Sequence, residues 1–346
     1  VMHTIDLKNT GFRTDLIVDE ISRNKDGKVE GTIVLEKDTV KLEEVCVDKE
    51  LEAVIHKKKG IYRTVSFEDI TDKNNLLQVE KVLIEALHRT FHDIGLKEEA
   101  NILIIGLGNE KCTPDSLGPK SIDHVLVTRH LFLLGDVEDG YRNVASFKPS
   151  VTGVTGIETK DLIEGIKNKI QPDLLIVIDA LASNSIERLN KTIQITTAGI
   201  SPGSGIGNNR VEISMETMHI PVIAIGIPTV VDATTIVQDT LQLLLKQISY
   251  KIENQNSQKL KLILPQNQNY KEHTKELNDS QKEDVLGMVG LLSEDELKQL
   301  LLEVLLPVNY NMMVTPKEID YVIEKLGLLI GNALNKSLHS HFNPTN

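Results

Sequence analysis

The sequence predicts an α/β fold: a mainly parallel, twisted sheet flanked by helices, preceded by a small N-terminal β-rich subdomain. Residues 98–250 alternate short apolar runs with amphipathic segments, which is typical of strands and helices that follow one another in a parallel sheet. The runs 102–105 and 174–178 contain only apolar residues, as strands buried on both faces do. Residues 28–70 instead alternate apolar and polar side chains, which predicts short, largely antiparallel strands.

The elements before the α/β region follow from composition and spacing. Residues 1–20 are polar and lack periodicity, so we interpret them as an arm outside the core. Residues 57–59 are three consecutive lysines between two predicted strands, and we interpret them as a solvated hairpin tip. From residue 75 to 96 the pattern becomes helical, with apolar side chains on one face.

The α/β region and the C-terminal part complete the prediction. The predicted strands are 101–106, 173–179, 192–196 and 221–227, and the predicted helices are 115–133, 158–170 and 232–249. Residues 251–285 are rich in Asn, Gln and Lys, which predicts a solvated insertion. Two capping boxes follow, at 293–296 and 315–318, and each is expected to open a helix. The last helix has one apolar face and is expected to dock on the sheet.

The composition excludes several classes of protein. The net charge of −12 argues against a general nucleic-acid binder, and 3% aromatic residues without Trp offer no stacking platform for bases. The two cysteines, Cys46 and Cys112, give no disulfide framework and fit a reducing cytoplasm. Pro221 and Pro228 interrupt the longest candidate for a membrane span. We therefore expect neither a direct nucleic-acid partner nor a membrane partner.

The stretch 101–119 carries the first candidate site residue. Its predicted strand is followed by a glycine-rich turn at 106–109 and by a helix start signal at Thr113-Pro114. Asp115 would lie in the first turn of that helix, where backbone N–H groups stabilise a carboxylate. Because position 111 is Lys111, the glycines do not complete a dinucleotide-binding fingerprint. A tight turn between strand and helix is the alternative interpretation.

A second acid, Asp179, ends the predicted strand 173–179. If this strand lies beside strand 101–106, the carboxyl groups of Asp115 and Asp179 face one crevice at the edge where α/β sheets bind ligands. A carboxylate after an apolar strand is costly unless it is paired, hydrogen-bonded or protonated. The alternative is an Asp that caps a helix. The Gly/Ser-rich loop 199–210 is expected near the same edge.

Several segments together carry a resemblance to one family. They are Gly106-Leu-Gly-Asn109, Thr113-Pro-Asp-Ser-Leu-Gly-Pro119, Leu126-Val-Thr-Arg-His-Leu131, Gly153-Val-Thr-Gly-Ile-Glu-Thr159, Ile178-Asp-Ala-Leu-Ala182, Ile200-Ser-Pro-Gly-Ser-Gly-Ile-Gly-Asn208, Ile227-Pro-Thr-Val-Val-Asp-Ala233 and Val314-Thr-Pro-Lys-Glu-Ile-Asp320. With them, nearly the whole chain resembles the germination proteases, endopeptidases that degrade small acid-soluble spore proteins. The resemblance implies a fold similar to the hydrogenase maturation proteases, within the phosphorylase/hydrolase-like α/β class.

The resemblance also implies a zymogen that removes its own N-terminal propeptide. The family's processing site has an acid, an apolar residue and a small residue, with acids beyond, which places the cleavage here between Asp15 and Leu16. Ile17 stands where the family usually has Ala. The family is generally tetrameric as a zymogen, so a homotetramer in the cytoplasm of the forespore or the spore core is expected. The chain then divides into a propeptide arm (1–15), a β-rich subdomain (16–75), an α/β catalytic core (76–250), a polar insertion with a helix (251–312) and a C-terminal helix packed on the core (313–346).

By their position in the matching segments, Asp115 and Asp179 take the roles of the two catalytic acids that the family implies. Our hypothesis is that the ionised acid takes a proton from water, while the protonated acid polarises the scissile carbonyl and later protonates the leaving amine. Backbone donors for the oxyanion are expected from two loops, with the candidates Gly106, Gly108, Asn109, Gly203, Ser204 and Gly205. Neither a metal nor another cofactor is expected.

Two alternatives stay open at this point. Hydrogenase maturation proteases use matching carboxylates to hold a metal, so Asp115 and Asp179 could be the ligands of a metal-dependent peptidase rather than the acids of an unusual aspartic-type enzyme. The chain could also be a non-catalytic α/β module whose glycine loops hold a nucleoside, a phosphate or a peptide. Cys112 does not predict a thiol protease, because no His and Asn partners are placed for it.

Overall fold

The computed structural model describes residues 15–23, 32–37, 39–55, 57–135, 137–202, 211–254, 273–305 and 312–342. They form two compact units. The larger unit contains the described residues of 12–230 and 315–346, and the smaller unit contains those of 231–314. None of the helices in these ranges is both long and apolar enough to cross a membrane.

The strands form one mixed sheet, with the order β1-β2-β3-β7-β8-β6-β4-β5. They are β1 (Thr32–Lys37), β2 (Val40–Val47), β3 (Gly60–Phe67), β4 (Ile102–Gly106), β5 (Val144–Phe147), β6 (Leu174–Ser183), β7 (Thr192–Thr196), β8 (Val222–Asp232) and β9 (Met313–Val314). The short strand β9 pairs antiparallel with the last two residues of β8, within the smaller unit.

The α/β class predicted from the sequence is confirmed, with the parallel strands where the candidate site was expected. β4 pairs in parallel with both β5 and β6. The strands β1, β2, β3, β7 and β8 pair antiparallel in that order. The β-rich N-terminal strands therefore continue the sheet of the α/β region, while the boundaries of the five segments stay a prediction.

The described chain contains twelve α-helices. They are α1 (Ile17–Arg23), α2 (Lys49–Ile55), α3 (Lys73–Asp93), α4 (Leu117–Ile122), α5 (Arg129–Leu134), α6 (Thr152–Thr155), α7 (Thr159–Ile170), α8 (Met215–Met218), α9 (Ala233–Glu253), α10 (Asp279–Leu286), α11 (Glu294–Leu305) and α12 (Ile319–Leu338).

The single helix predicted over 115–133 is wrong, because the chain forms α4 and α5 with a bent segment between them. In that segment, Leu126 N–H donates to Asn335 Oδ1 at 2.8 Å. The Thr128 hydroxyl group donates to Arg142 O at 2.5 Å and accepts from Val144 N–H at 2.9 Å. These side-chain hydrogen bonds tie the segment to α12 and β5, and they replace the hydrogen bonds that a continuous helix would make.

Helices cover both faces of the central strands. Ile104 and Ile176 belong to a large hydrophobic cluster that includes apolar side chains of α3 and α12. Leu103 and Val177 belong to a second cluster that includes Ile163 of α7. Because successive residues of a strand point to opposite faces, this division explains why β4 and β6 contain continuous apolar runs.

One of the two predicted capping boxes is present. Ser293 N–H donates to Glu296 Oε2 at 2.9 Å, and Glu296 N–H donates to Ser293 Oγ at 3.3 Å, so α11 begins as predicted. The box predicted at Thr315 is wrong, because the Thr315 hydroxyl group donates to Thr229 O at 2.8 Å instead. The helix α12 therefore begins later, at Ile319. Most of the predicted polar insertion, residues 255–272, lies outside the described residues.

Candidate active site

The loop after β4 holds Asp115 through a backbone hydrogen bond. Asn109 N–H donates to Asp115 Oδ2 at 2.8 Å, so the half-buried carboxylate receives a donor from the turn before it. Gly108 has a φ of +110°, and a Cβ atom there would lie 1.9 Å from Asp115 O. The turn therefore requires glycine at this position, both for its backbone conformation and for its close approach to Asp115.

The helix start predicted at Thr113 is different in the structure. The residues Thr113–Asp115 form a 3-10 helix, and Asp115 is its last residue rather than part of the first turn of an α-helix. This short helix is tied to the sheet because the Thr229 hydroxyl group of β8 donates to Pro114 O at 2.6 Å. The carboxylate of Asp115 is thus positioned by the preceding loop and by β8, with α4 beginning only at Leu117.

Asp179 lies inside β6 rather than at its end, which corrects the sequence analysis. β6 continues to Ser183. The neighbouring strand β4 ends at Gly106, whose partner is Ile178. Asp179 is therefore the first residue of β6 beyond its partner strand. It is 5% exposed, and its Oδ1 accepts from Ala180 N–H at 2.9 Å.

A pair of neighbouring strands brings the segments of the two acids together. The sequence analysis expected the two acids to share one crevice if their strands were neighbours. β4 and β6 are parallel neighbours in the sheet. Leu107 N–H donates to Ile178 O at 2.8 Å and extends this pairing into the loop. A Cβ atom on Gly118 would lie 2.6 Å from Ile178 O, so the start of α4 also approaches β6 closely. The chain segments that carry Asp115 and Asp179 thus meet at one edge of the sheet, while their catalytic roles stay a prediction.

Three of the six predicted oxyanion donors lie in the described part of the chain. Gly106 is the last residue of β4, Gly108 lies in the loop after it, and both are buried. The N–H group of Asn109 already donates to Asp115, so it acts on that carboxylate in this structure. The other three candidates, Gly203, Ser204 and Gly205, lie outside the described residues.

The side chains near the two acids are relevant to the alternative in which Asp115 and Asp179 bind a metal ion. Two carboxylates at one sheet edge suit a hard cation, which usually takes further oxygen or imidazole ligands. In the described ranges, no group of three or more His, Cys, Asp and Glu side chains is arranged to hold a metal ion. The metal-free mechanism and the metal-dependent alternative both stay untested.

The predicted processing bond lies beside β6, the strand that contains Asp179. Asp15 N–H donates to Ala182 O at 3.1 Å, and Ala182 N–H donates to Asp15 Oδ2 at 2.9 Å. Ala182 is three residues beyond Asp179, a separation of about 10 Å along a strand. Leu16, on the other side of the bond, is 0% exposed.

The sequence analysis missed three residues that surround this bond. Gln194, Arg188 and Lys57 all contact or face the segment that begins at Asp15. The interpretation of 57–59 as a solvated hairpin tip does not suit Lys57, which is half-buried. Gln194 is a polar residue between Ile193 and Ile195 at the centre of β7, and this is the local signal that points to a specific partner.

Comparison with known proteins decides the family. The family model described as germination protease matches residues 13–346. The chain belongs to the germination protease family. It is therefore a protease, a hydrolase of peptide bonds, in a family that acts in spore germination.

Similar proteins extend over nearly the full length of the chain. The germination protease of Priestia megaterium (strain ATCC 12872 / QMB1551) is 42% identical over 99% of this chain and 97% of its own. The germination protease of Bacillus cytotoxicus is also 42% identical, with the same coverage of both chains. The solved [NiFe] hydrogenase maturation protease HycI from Thermococcus kodakarensis KOD1 covers 41% of this chain and 80% of its own, with 16% identity and a TM-score of 0.28. At that TM-score the likeness carries no argument about this chain.

Proposed function

We propose that this germination protease is a sequence-specific endopeptidase that begins the degradation of small acid-soluble spore proteins in the spore core, with water activated between Asp115 and Asp179. The observation that carries the proposal is the parallel pairing of β4 with β6, which brings the segments of both acids to one sheet edge. In a family of proteases, a pair of carboxyl groups at that edge supports general acid–base hydrolysis.

The environments of the two acids suit different roles. Asp115 is half-exposed and accepts a backbone hydrogen bond from Asn109, which favours its ionised form. Asp179 is more buried and also accepts a backbone hydrogen bond, from Ala180 N–H; because two carboxylates in one crevice do not both ionise easily, we assign the shared proton to this acid. Asp115 then takes a proton from water as the water oxygen attacks the scissile carbonyl carbon. Asp179 donates its proton to the departing amide nitrogen, the C–N bond breaks, and one water molecule is consumed.

The same chemistry accounts for self-processing. The chain is made as a zymogen, and hydrolysis between Asp15 and Leu16 removes residues 1–15. The docking of Asp15 on β6 supports this assignment, because it holds the bond on the strand that carries one of the two acids. The zymogen is a homotetramer of this chain, which light scattering of the purified full chain tests directly.

Replacement of either acid tests the mechanism. We expect Asp115→Asn and Asp179→Asn each to lower kcat for cleavage of a Thr-Glu-Phe-Ala-Ser-Glu peptide by about 100-fold or more, because each removes one proton-transfer group. The matched control is Asp173→Asn: Asp173 precedes β6 at its opposite end, where its carboxylate accepts from Asn101 N–H at 2.7 Å. Normal cleavage by either site variant would contradict the acid pair.

A strong chelator separates the acid pair from the metal alternative. The acid pair predicts that cleavage after the first Glu of the peptide continues in the chelator. Loss of cleavage in the chelator, with recovery on addition of one metal, would instead make Asp115 and Asp179 metal ligands. A chain that binds the peptide without cleaving it would contradict the enzyme proposal and favour the binding module.

A further inference from the structure

The main chain around the predicted processing bond is held from both sides. The Gln194 side chain donates from Nε2 to Asp15 O at 3.2 Å and accepts at Oε1 from Ile17 N–H at 2.8 Å. Gln194 is 5% exposed. Together with the pairing of Asp15 and Ala182, these hydrogen bonds fix the backbone before and after Leu16. Both hydrogen bonds of the Gln194 amide are made to main-chain atoms, so it positions the segment without selecting its sequence.

The structure contacts a side chain specifically at Asp19, the fourth residue after the bond. Asp19 is 4% exposed, and its Oδ2 accepts from Asn184 N–H at 2.9 Å and from Ser183 Oγ at 3.2 Å. Its Oδ1 accepts from Arg188 Nη1. A carboxylate removed from water needs hydrogen-bond donors and an opposite charge to replace its hydration. We call the group formed by Ser183, Asn184 and Arg188 the acid pocket.

The acid pocket is built on the end of β6 and the turn after it. Ser183 is the last residue of β6, and Arg188 ends the 3-10 helix that follows. The strand that carries the second catalytic acid therefore also carries the donors for a carboxylate. This continuity links the two sites through one rigid element.

A second cation reinforces the charge complementarity. Burial lowers the pKa of Lys57, while the charges of Asp15, Glu20 and Asp19 raise it, so Lys57 lies among the acids of this segment. In a chain with a net charge of −12, two cations face these three acids. The surface around the processing segment is thus suited to an acidic peptide rather than a basic one.

We propose that the acid pocket is the subsite for an acidic side chain four residues after the cleaved bond, and that Arg188 is its specificity-determining residue. The inference rests on the proposed function, because it takes Asp15–Leu16 as the processing bond. Asp19 fills the pocket before processing. A protein substrate with Asp or Glu at the equivalent position fills it afterwards.

Hydrolysis of the Asp15–Leu16 bond favours the replacement of Asp19 in the acid pocket by a substrate side chain. Hydrolysis turns the amide nitrogen of Leu16, a residue that is 0% exposed, into an ammonium group. A new charge at a buried position is costly to remove from water even where it finds a partner, which favours movement of the segment that contains α1 toward water. Against this stand the apolar contacts of Ile17, Val18 and Ile21 with a small hydrophobic cluster. α1 has only seven residues and is not stable alone, so its release opens both Gln194 and the acid pocket.

Peptides that differ at one position test the inference without any change to the protein. The full chain, allowed to process itself, is given Thr-Glu-Phe-Ala-Ser-Glu and the same peptide with Gln or Lys as the last residue. We expect kcat/KM to fall about tenfold or more from Glu to Gln, because a charged hydrogen bond is lost, and to fall further with Lys. Equal kcat/KM for the three peptides would overturn the inference.

A charge reversal in the pocket should change the order in which the three peptides are cleaved, which the loss of a merely structural contact would not do. We expect Arg188→Glu to reverse the order, so that the Lys peptide is cleaved faster than the Glu peptide. Loss of a structural ion pair would lower all three rates by the same factor and would count against the specificity role. The control Arg89→Gln removes an exposed arginine on α3 that pairs with Glu85, and it should keep the wild-type order.

The two hypotheses fail in different ways. If the wild-type chain neither processes itself nor cleaves any of the peptides, the proposed function fails and the inference falls with it. If it cleaves all of them at one rate, the proposed function stands and only the role of the acid pocket is lost.

Discussion

Gly108 shows how a single residue controls the candidate site. Its φ of +110° and the distance of only 1.9 Å that a Cβ atom would have from Asp115 O leave no room for a side chain. The same turn supplies the Asn109 N–H group that binds the Asp115 carboxylate. The backbone conformation and the orientation of this candidate acid are therefore coupled at one position.

Replacement of this glycine should damage both folding and activity. We expect Gly108→Ala to lower the free energy of unfolding by more than about 1 kcal/mol, because of the backbone strain alone, and to lower kcat by displacing Asp115. Urea unfolding and peptide cleavage measure the two effects. The control is Gly153→Ala, since a Cβ atom on Gly153 would meet nothing within 4 Å. Wild-type kcat in Gly108→Ala would show that the turn does not position Asp115.

At the level of elements, α12 ends at a buried histidine. His339 is 1% exposed, and its Nδ1 accepts from Arg142 N–H at 3.1 Å. Burial lowers the pKa of His339 to about 4, with smaller contributions from Arg142 and His341 in the same direction. Through this hydrogen bond, the neutral ring joins the end of α12 to the segment before β5.

This histidine should make the fold sensitive to acid. The unfolded chain binds a proton at His339 below its ordinary pKa of 6.5, whereas the folded chain binds it only near 4, so its contribution is fully present above pH 6.5 and is lost as the pH falls toward 4. We expect the unfolding free energy to fall by up to about 3 kcal/mol over this range. The urea midpoint at pH 7 and pH 5 measures it. His339→Gln should reduce the difference, and an unchanged difference would assign the acid sensitivity to other groups.

The sequence predicts elements well where one local pattern decides them. β4 and β6 follow from continuous apolar runs, and α7 follows from its periodicity. β6 extends past Asp179 because it continues beside β8, and no local signal in Ala180 to Ser183 shows that neighbour. The four residues of β5 are too short and too mixed to be read as a strand.

The contacts of the processing segment illustrate what local patterns cannot show. Asp15 and Gln194 are separated by 179 residues, and Asp19 and Arg188 by 169. Their meeting depends on the order of strands in the folded sheet. The candidate acids can be predicted because each follows an apolar run in the sequence, whereas Arg188 and Gln194, which hold the segment around the predicted processing bond, follow no such run.

At the scale of the whole molecule, the sheet joins the N-terminal strands to the strands of the candidate site. Leu42 of β2 and Val65 of β3 belong to the same hydrophobic cluster as Ile104 of β4 and Ile330 of α12. The antiparallel strands therefore share one core with the parallel ones. Cooperative behaviour across the larger unit follows from this shared core.

A cavity in the N-terminal strands should therefore also lower the stability of β4, at the candidate site. We expect Leu42→Ala, at a residue that is 0% exposed, to lower the unfolding free energy by about 2–5 kcal/mol and to reduce hydrogen-exchange protection in β4 as well as in β2. Leu77→Ala, at a leucine that is 47% exposed, serves as the control and should have little effect. Loss of protection confined to β1–β3 would instead favour an independent subdomain.

The backbone contact of Gln194 has an evolutionary consequence. Because its hydrogen bonds reach the main chain of Asp15 and Ile17, mutations of the Ile17 side chain leave both bonds in place. This position can drift among apolar residues between species, and Ile in place of the usual Ala fits that freedom. Asp19 has no such freedom, because a neutral replacement would remove the carboxylate that pairs with Arg188. Within one short segment, natural variation should therefore be broad at the second residue after the bond and narrow at the fourth.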